Sequence, residues 1–323
     1  MKLKNCFQFF SIAILLASCS TSKNTNKPND LNQYPWFPFS WYSADISGKY
    51  FDKLAILVHT KVNDLNADFT LQFDLGSNST SIYGNTIGSY YPENEIKSMI
   101  IESTKSTTDA GRIVYDTKGL TYHLGKFSIN DVAIIDKYGE SIHKDSLFTK
   151  TSKHIGTLGA NVFKNKILII DYPQQKMCVL DSLDSYWEGR VTFVQAQSKR
   201  GRLHIPLEIG GNTYWFLFDT GASLFPVNTN KELWSRIVDG SAKTDTLIGN
   251  SWGEKVTFYG RPIKENVYLG KRLLKKSIAW YNENKRLQEF NKSENIDGLT
   301  GNAYFTNDII VLDFKNTRFG IAD

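Results

Sequence analysis

The chain has 323 residues, 41% of them apolar, enough for two domains of ordinary size or one large one with a real core. Its 38 basic and 33 acidic residues leave a net charge of +5, with no dense basic run interleaved with aromatics, so it carries no nucleic-acid footprint. Abundant Tyr, Phe and Trp, many Thr, Val and Ile, and scattered Gly point to an all-β chain with a few short helices.

Lys2 and Lys4 form a positive n-region ahead of an apolar run, Phe7–Ser18, that is too short to span a bilayer. The run ends in Leu16-Ala17-Ser18-Cys19, which resembles the lipobox of bacterial lipoproteins. That resemblance implies cleavage of a signal peptide over 1–18 and acylation of the Cys19 thiol. The lipid would anchor the chain to a membrane of the bacterial envelope, facing the periplasm or the cell exterior, without a transmembrane helix. Residues 19–33, rich in Asn, Lys, Ser and Thr, read as a flexible tether. Cys6 would leave with the signal, so Cys178 would stand alone and no intrachain disulfide is available. Without Lys2 and Lys4 the balance is 36 basic against 33 acidic side chains, a net of +3.

Tyr34–Tyr42 is strongly aromatic and holds two prolines, which predicts an extended segment packed along a sheet. Leu54–Val62 and Phe69–Phe73 read as strands around a polar turn at Asn63–Asn66, and Ser81–Tyr83 as another beyond Asp74. A short helix is expected over Glu93–Ile101. Hairpins follow from Ser103 to Asp136, with strands at Ile113–Tyr115, Leu120–Leu124 and Val132–Ile135. Asp181–Arg200, charged and without period, reads as a linker. In the second half, Leu203–Ile209 and Thr213–Phe218 flank a tight turn at Gly210-Gly211-Asn212. Thr229 is the expected cap of a helix over Lys231–Val238. Hairpin strands follow at Lys255–Tyr259 and Glu265–Leu269, another strand at Ser277–Tyr281, and a surface helix at Asn284–Ser293.

Two apolar runs drive into an aspartate and a glycine. Trp215–Pro226 contains Asp219-Thr220-Gly221-Ala222-Ser223, and 145 residues earlier Leu71-Gln-Phe precedes Asp74-Leu75-Gly76-Ser77. Asp-x-Gly is ordinary turn chemistry, but a carboxylate among apolar residues is costly to bury unless something holds it. A second motif repeats as well. Gly156, Gly159, Phe163, Asn165, Ile167 and Asp171 fall without a gap on Gly298, Gly301, Phe305, Asn307, Ile309 and Asp313. The aspartate precedes this motif by 82 residues in the first half and by 79 in the second. Matching order and spacing indicate an internal duplication.

On these residues the chain resembles a bilobal aspartic protease, like pepsin in carrying two halves on one chain and like retropepsin-type bacterial proteins in their compactness. The resemblance covers about residues 50–323. It implies two pseudo-twofold-related, β-barrel-like lobes, 34–190 and 191–323, around a central cleft, in a chain expected to be monomeric. It further implies an aspartic endopeptidase acting on a peptide or protein. Asp74 and Asp219 would share a proton and activate a water, with no metal or cofactor, while Gly76, Ser77, Thr220 and Gly221 support the dyad. Leu75 stands where the family usually has Thr or Ser, so it cannot join the hydroxyl cross-link between the loops. A two-lobed peptide-binding protein with weak or no turnover is the alternative. A Ser77 hydroxyl on the carboxylate would lower its pKa and Ala222 cannot, which points to an optimum less acidic than pepsin's. Tyr115, 41 residues after Asp74, is the candidate flap tyrosine. Competing sites are weak: the five histidines are scattered with no metal-binding pair, and no Gly-x-Ser-x-Gly occurs. Asp171 and Asp313 read as turn residues.

Overall fold

The aromatic stretch with two prolines becomes β1 (Phe37–Ile46), and its partner choice follows the proline. Phe37 and Pro38 lie beside a later strand, and from Phe39 onward β1 pairs with β2 (Lys49–Val62). In this computed structural model, which describes residues 33–108, 111–251 and 254–323, the chain is predominantly β with two sheets and a few short helices. The expected signal peptide, Cys19 and the tether as far as residue 32 lie outside the described residues. Among the described residues no helix is long and apolar enough to cross a membrane.

β3 (Phe69–Phe73), buried at four of its five positions, pairs with β2 and delivers the chain to Asp74. Beyond that turn come β4 (Ser81–Tyr83), α1 (Gly84–Ile87), α2 (Glu93–Met99), β5 (Ser106–Thr107), β6 (Ile113–Asp116), β7 (Tyr122–Leu124), β8 (Phe127–Ile129) and β9 (Ala133–Ile135). β10 (Lys153–Leu158) and the hairpin β11 (Ile167–Asp171) and β12 (Lys176–Leu180) close the first half. After α3 (Ser185–Glu188), the second half opens with β13 (Val191–Gln195), β14 (Gln197–Lys199), β15 (Arg202–Ile209), β16 (Asn212–Phe218), β17 (Val227–Thr229) and α4 (Lys231–Ile237). It continues through β18 (Asp245–Ser251), β19 (Glu254–Pro262), β20 (Val267–Leu269), β21 (Arg272–Leu273), β22 (Ile278–Tyr281), α5 (Lys285–Glu294) and β23 (Gly298–Thr300). It ends in the hairpin β24 (Ile309–Asp313) and β25 (Arg318–Ala322).

The duplication expected from the motifs is visible as topology. The order β2-β3-β10-β4-β9-β6-β5 in the first sheet recurs as β15-β16-β23-β17-β22-β19-β18 in the second. Parallel pairs fall at the same places, β3 with β10 and β16 with β23, then β4 with β9 and β17 with β22. The two terminal hairpins meet: β11 and β24 pair antiparallel from Ile167 opposite Asp313 to Asp171 opposite Ile309. β12 and β1 extend that layer on one side, β25 and β13 on the other, so six strands from both halves form one surface. Neither sheet closes into a barrel, so the barrel-like outline is a finer description than these open sheets carry.

Several local expectations are corrected. The region read as a linker contains α3, β13 and β14; among the described residues β13 is an edge strand that pairs only with β25, so it needs few apolar residues. Asn230, not Thr229, caps α4, its Oδ1 accepting from the Leu233 amide at 2.8 Å, while Thr229 lies in β17. α5 is not purely a surface helix, because Leu287 and Glu294 are buried. Asp171 and Asp313 do serve turns, accepting from the amides of Gln174 and Asn316.

Candidate active site

The two Asp-x-Gly turns are held alike by the strands that precede and follow them. The Asp74 amide donates to the Leu158 carbonyl at 3.0 Å, and the Asp219 amide to the Thr300 carbonyl at 2.9 Å. These acceptors end β10 and β23, the repeated Gly-containing stretches, so each turn is seated at the open end of a strand from its own half. Polar groups need such partners where the surroundings are apolar.

The turns also face each other. The Gly76 amide donates to Asp74 Oδ1 at 2.9 Å and lies 3.2 Å from Asp219 Oδ1, so one N–H serves both carboxyls. The Gly221 amide donates to Asp219 Oδ1 at 2.8 Å, and Ser77 adds a second amide to Asp74 at 3.1 Å. A Cβ built on Gly76 would lie 2.7 Å from the Asp219 carboxyl; one on Gly221 would lie 2.7 Å from that of Asp74. Each glycine is therefore the floor under the opposite aspartate, and no side chain fits either position.

The two carboxyls lie side by side, within reach of the one Gly76 N–H, and both keep part of their surface open. Burial pushes Asp219 up to about 8, helped by the adjacent Asp74 charge and opposed by the Gly221 amide. Burial raises Asp74 as well, against its bonds from Asp219, Ser77 and Gly76 and the nearby Arg202 charge. The pair therefore retains a proton in the range where isolated aspartates are ionised, and its titration belongs to both members.

The cross-link between the loops is one-sided. Thr220 Oγ1 accepts from the Leu75 amide at 2.9 Å and donates to the Phe73 carbonyl at 3.0 Å. Leu75, 2% exposed, contributes only apolar packing to the core. Asn302 supports the Asp219 turn from beneath, donating to the Thr220 carbonyl and to Ser223 Oγ, and itself accepts from the Tyr172 hydroxyl of the first half.

All the expected dyad-loop residues are brought together: Asp74, Gly76, Ser77, Asp219, Thr220 and Gly221. The Ser77 hydroxyl, however, donates to the Ser79 carbonyl at 2.8 Å instead of to Asp74; only its amide serves the carboxyl. Tyr115 lies in β6 opposite Ile134, 9% exposed within the core, and makes no hydrogen bond to either Asp turn among the described residues. Tyr83, which the sequence did not single out, is close enough to Asp74 for that charge to raise its hydroxyl, behind the larger effect of burial. Its hydroxyl pairs with Thr157 Oγ1 at 3.1 Å, and its ring meets Tyr138, over which Arg112 lies at 3.9 Å. Among the described residues no cluster of His, Cys, Asp and Glu is arranged to hold a metal. Compared with known proteins, the chain matches no family model and no curated protein.

Proposed function

We propose that the chain is an aspartic endopeptidase of the two-lobed acid-protease type, with Asp74 and Asp219 as its dyad and a peptide or protein as substrate. The observation that carries this reading is the Gly76 amide within hydrogen-bond reach of both carboxyls. Carboxyls this close cannot both ionise cheaply, so one keeps a shared proton. The repeated strand order supports assigning one lobe to 34–190 and the other to 191–323.

The chemistry follows from that proton. The ionised carboxyl takes a proton from a water held between the two, and the water oxygen adds to the peptide carbonyl carbon. The protonated carboxyl gives its proton to the carbonyl oxygen, leaving a gem-diol. The newly protonated carboxyl then gives its proton to the amide nitrogen while the other carboxylate takes one from a gem-diol hydroxyl, so that the C–N bond breaks to an acid and an amine and the dyad again holds one proton. No cofactor or metal enters. Lipidated Cys19 would hold the enzyme at the outside of a bacterial membrane, and Cys19→Ala would release it to the soluble fraction.

A second reading, a peptide-binding protein of the same build without turnover, is favoured by one observation: apolar Leu75 leaves the loops with a single hydroxyl between them. Assay of the chain from Cys19 onward on a peptide library between about pH 3 and pH 8 separates the two. The enzyme reading expects cleavage that a statine-type transition-state mimic inhibits and that Asp74→Asn and Asp219→Asn abolish. Absence of cleavage throughout, with peptide binding intact in both Asn variants, establishes the binder.

A further inference from the structure

A buried charge cluster lies behind the dyad and is not used by the chemistry above. Arg202, at the start of β15, is 5% exposed; Glu294, the last residue of α5, is 1% exposed; His204 is 2% exposed. Arg202 Nη2 meets Glu294 Oε1 at 2.8 Å, His204 Nε2 is 3.5 Å from Oε2, and Arg200 Nη1 is 3.7 Å from Oε1. The other arm of the guanidinium leaves this cluster: Nη1 donates to the carbonyl of Gly76 at 2.9 Å. Gly76 is the residue whose amide contacts both aspartates. A buried cation is retained only with such partners, because desolvating it alone is prohibitive.

The duplication shows what is unusual. Leu57 pairs with Gln72 as His204 pairs with Leu217, so Ala55, two residues before Leu57, occupies the place of Arg202 in the first half. One half thus has Arg202 reaching across to the opposite turn, and the other has a methyl group. The same asymmetry runs through the turns, Thr220 on one side and Leu75 on the other.

We propose that Arg202 is a positioning residue for the dyad: its contacts with Glu294 and the Gly76 carbonyl add a second tie from the second half to the first turn, beside that of Thr220, where Leu75 returns none. The claim rests on the aspartic-peptidase reading for its kinetic consequences, but not for its geometry. A guanidinium can do this where an ammonium cannot, since one nitrogen of its rigid fork pairs in charge with a carboxylate while another donates to a carbonyl. Its charge also acts on Asp74, which interacts with Asp219 and Tyr83 as well, and favours the ionised form against the larger effect of burial.

Arg202→Gln/Glu294→Gln removes both charges and leaves no uncompensated carboxylate. It is expected to fold, by near-ultraviolet circular dichroism, and to lose kcat by about 10- to 100-fold with little change in KM, as misplacement of reacting groups does. The acid limb of its pH profile should move to higher pH. Adding Leu75→Thr to this pair should recover at least half of the logarithmic loss in kcat while leaving the acid limb displaced, because a hydroxyl restores position and not charge. Arg202→Lys, which keeps the charge and packing, should lose kcat with the acid limb in place; it decides the matter if the double variant does not fold. Unchanged kcat in a folded double variant, or in Arg202→Lys when the double variant does not fold, overturns the proposal, as does failure of Leu75→Thr to restore activity. If the wild-type chain cleaves nothing, the peptidase reading falls. Titration of the 13C-labelled aspartate carboxyls then tests Arg202 alone, with a raised first titration in the variant supporting its role and an unmoved one refuting it.

Discussion

At the scale of single residues, Gly76 and Gly221 determine how close the two aspartates come. Because a Cβ at either position would meet the opposite carboxyl at 2.7 Å, Gly221→Ala should push Asp74 away and reduce cleavage by about 100-fold or more. Kinetics of the variant with an intact circular dichroism spectrum checks this, and near-normal turnover would show that the turns yield more readily than their geometry suggests. Burial of the pair, helped by that closeness, costs stability. Folded Asp219 holds its proton up to about pH 8, whereas the unfolded chain releases it above the ordinary value of 3.8. Folding at intermediate pH therefore takes up a proton, and this contribution to stability declines as pH rises from about 4 toward 8. Asp219→Asn does not titrate, so at pH 7 it should be more stable than the native chain by about 1–2 kcal/mol, an advantage that vanishes near pH 4. Denaturant unfolding at both pH values measures the difference; equal stability of the two proteins at pH 7 would count against a raised carboxyl.

At the scale of elements, the sequence made the strands that enter the dyad easy to read, because Phe69–Phe73 alternates apolar and polar residues, the end of β16 is apolar throughout, and both stop at an aspartate. The repeated Gly stretches were legible for a similar reason: their spacing survives duplication. β13 was not, since an edge strand buries little and shows weak period. Nor was the role of Arg202 and Glu294, which depends on α5 folding back behind the first turn. One local signal existed: an acidic residue at the C-terminal end of a helix opposes the helix dipole and calls for a cation partner. The cap of α4 was misplaced by one residue because adjacent Thr229 and Asn230 are both capping types, and Thr229 is taken up by β17. Asn230→Ala should accordingly cost about 1 kcal/mol in denaturant unfolding. An unaffected midpoint would mean that α4 is held by Leu233, Trp234 and Ile237 alone.

At the scale of the whole molecule, the boundary between 190 and 191 divides the repeat but not the sheet. β11 pairs with β24, and the strands beside them come from both halves. Expressed apart, 34–190 and 191–323 should each expose this layer and remain unfolded or aggregate, whereas co-expression should restore a soluble complex. Size-exclusion chromatography of the fragments tests this, and two independently folded monomers would contradict it.

The one-sided cross-link has a consequence for direction. A site built from two identical chains presents the same surface to either end of a bound peptide, and a ligand can lie across it both ways. Here Thr220 faces Leu75, and Arg202 has only Ala55 as its counterpart. The rotational equivalence is broken at the floor of the site itself. On the proposed peptidase reading, a peptide running from amino to carboxyl end would meet two different supports for its scissile carbonyl, so that a polarity of reading would be written beneath the dyad.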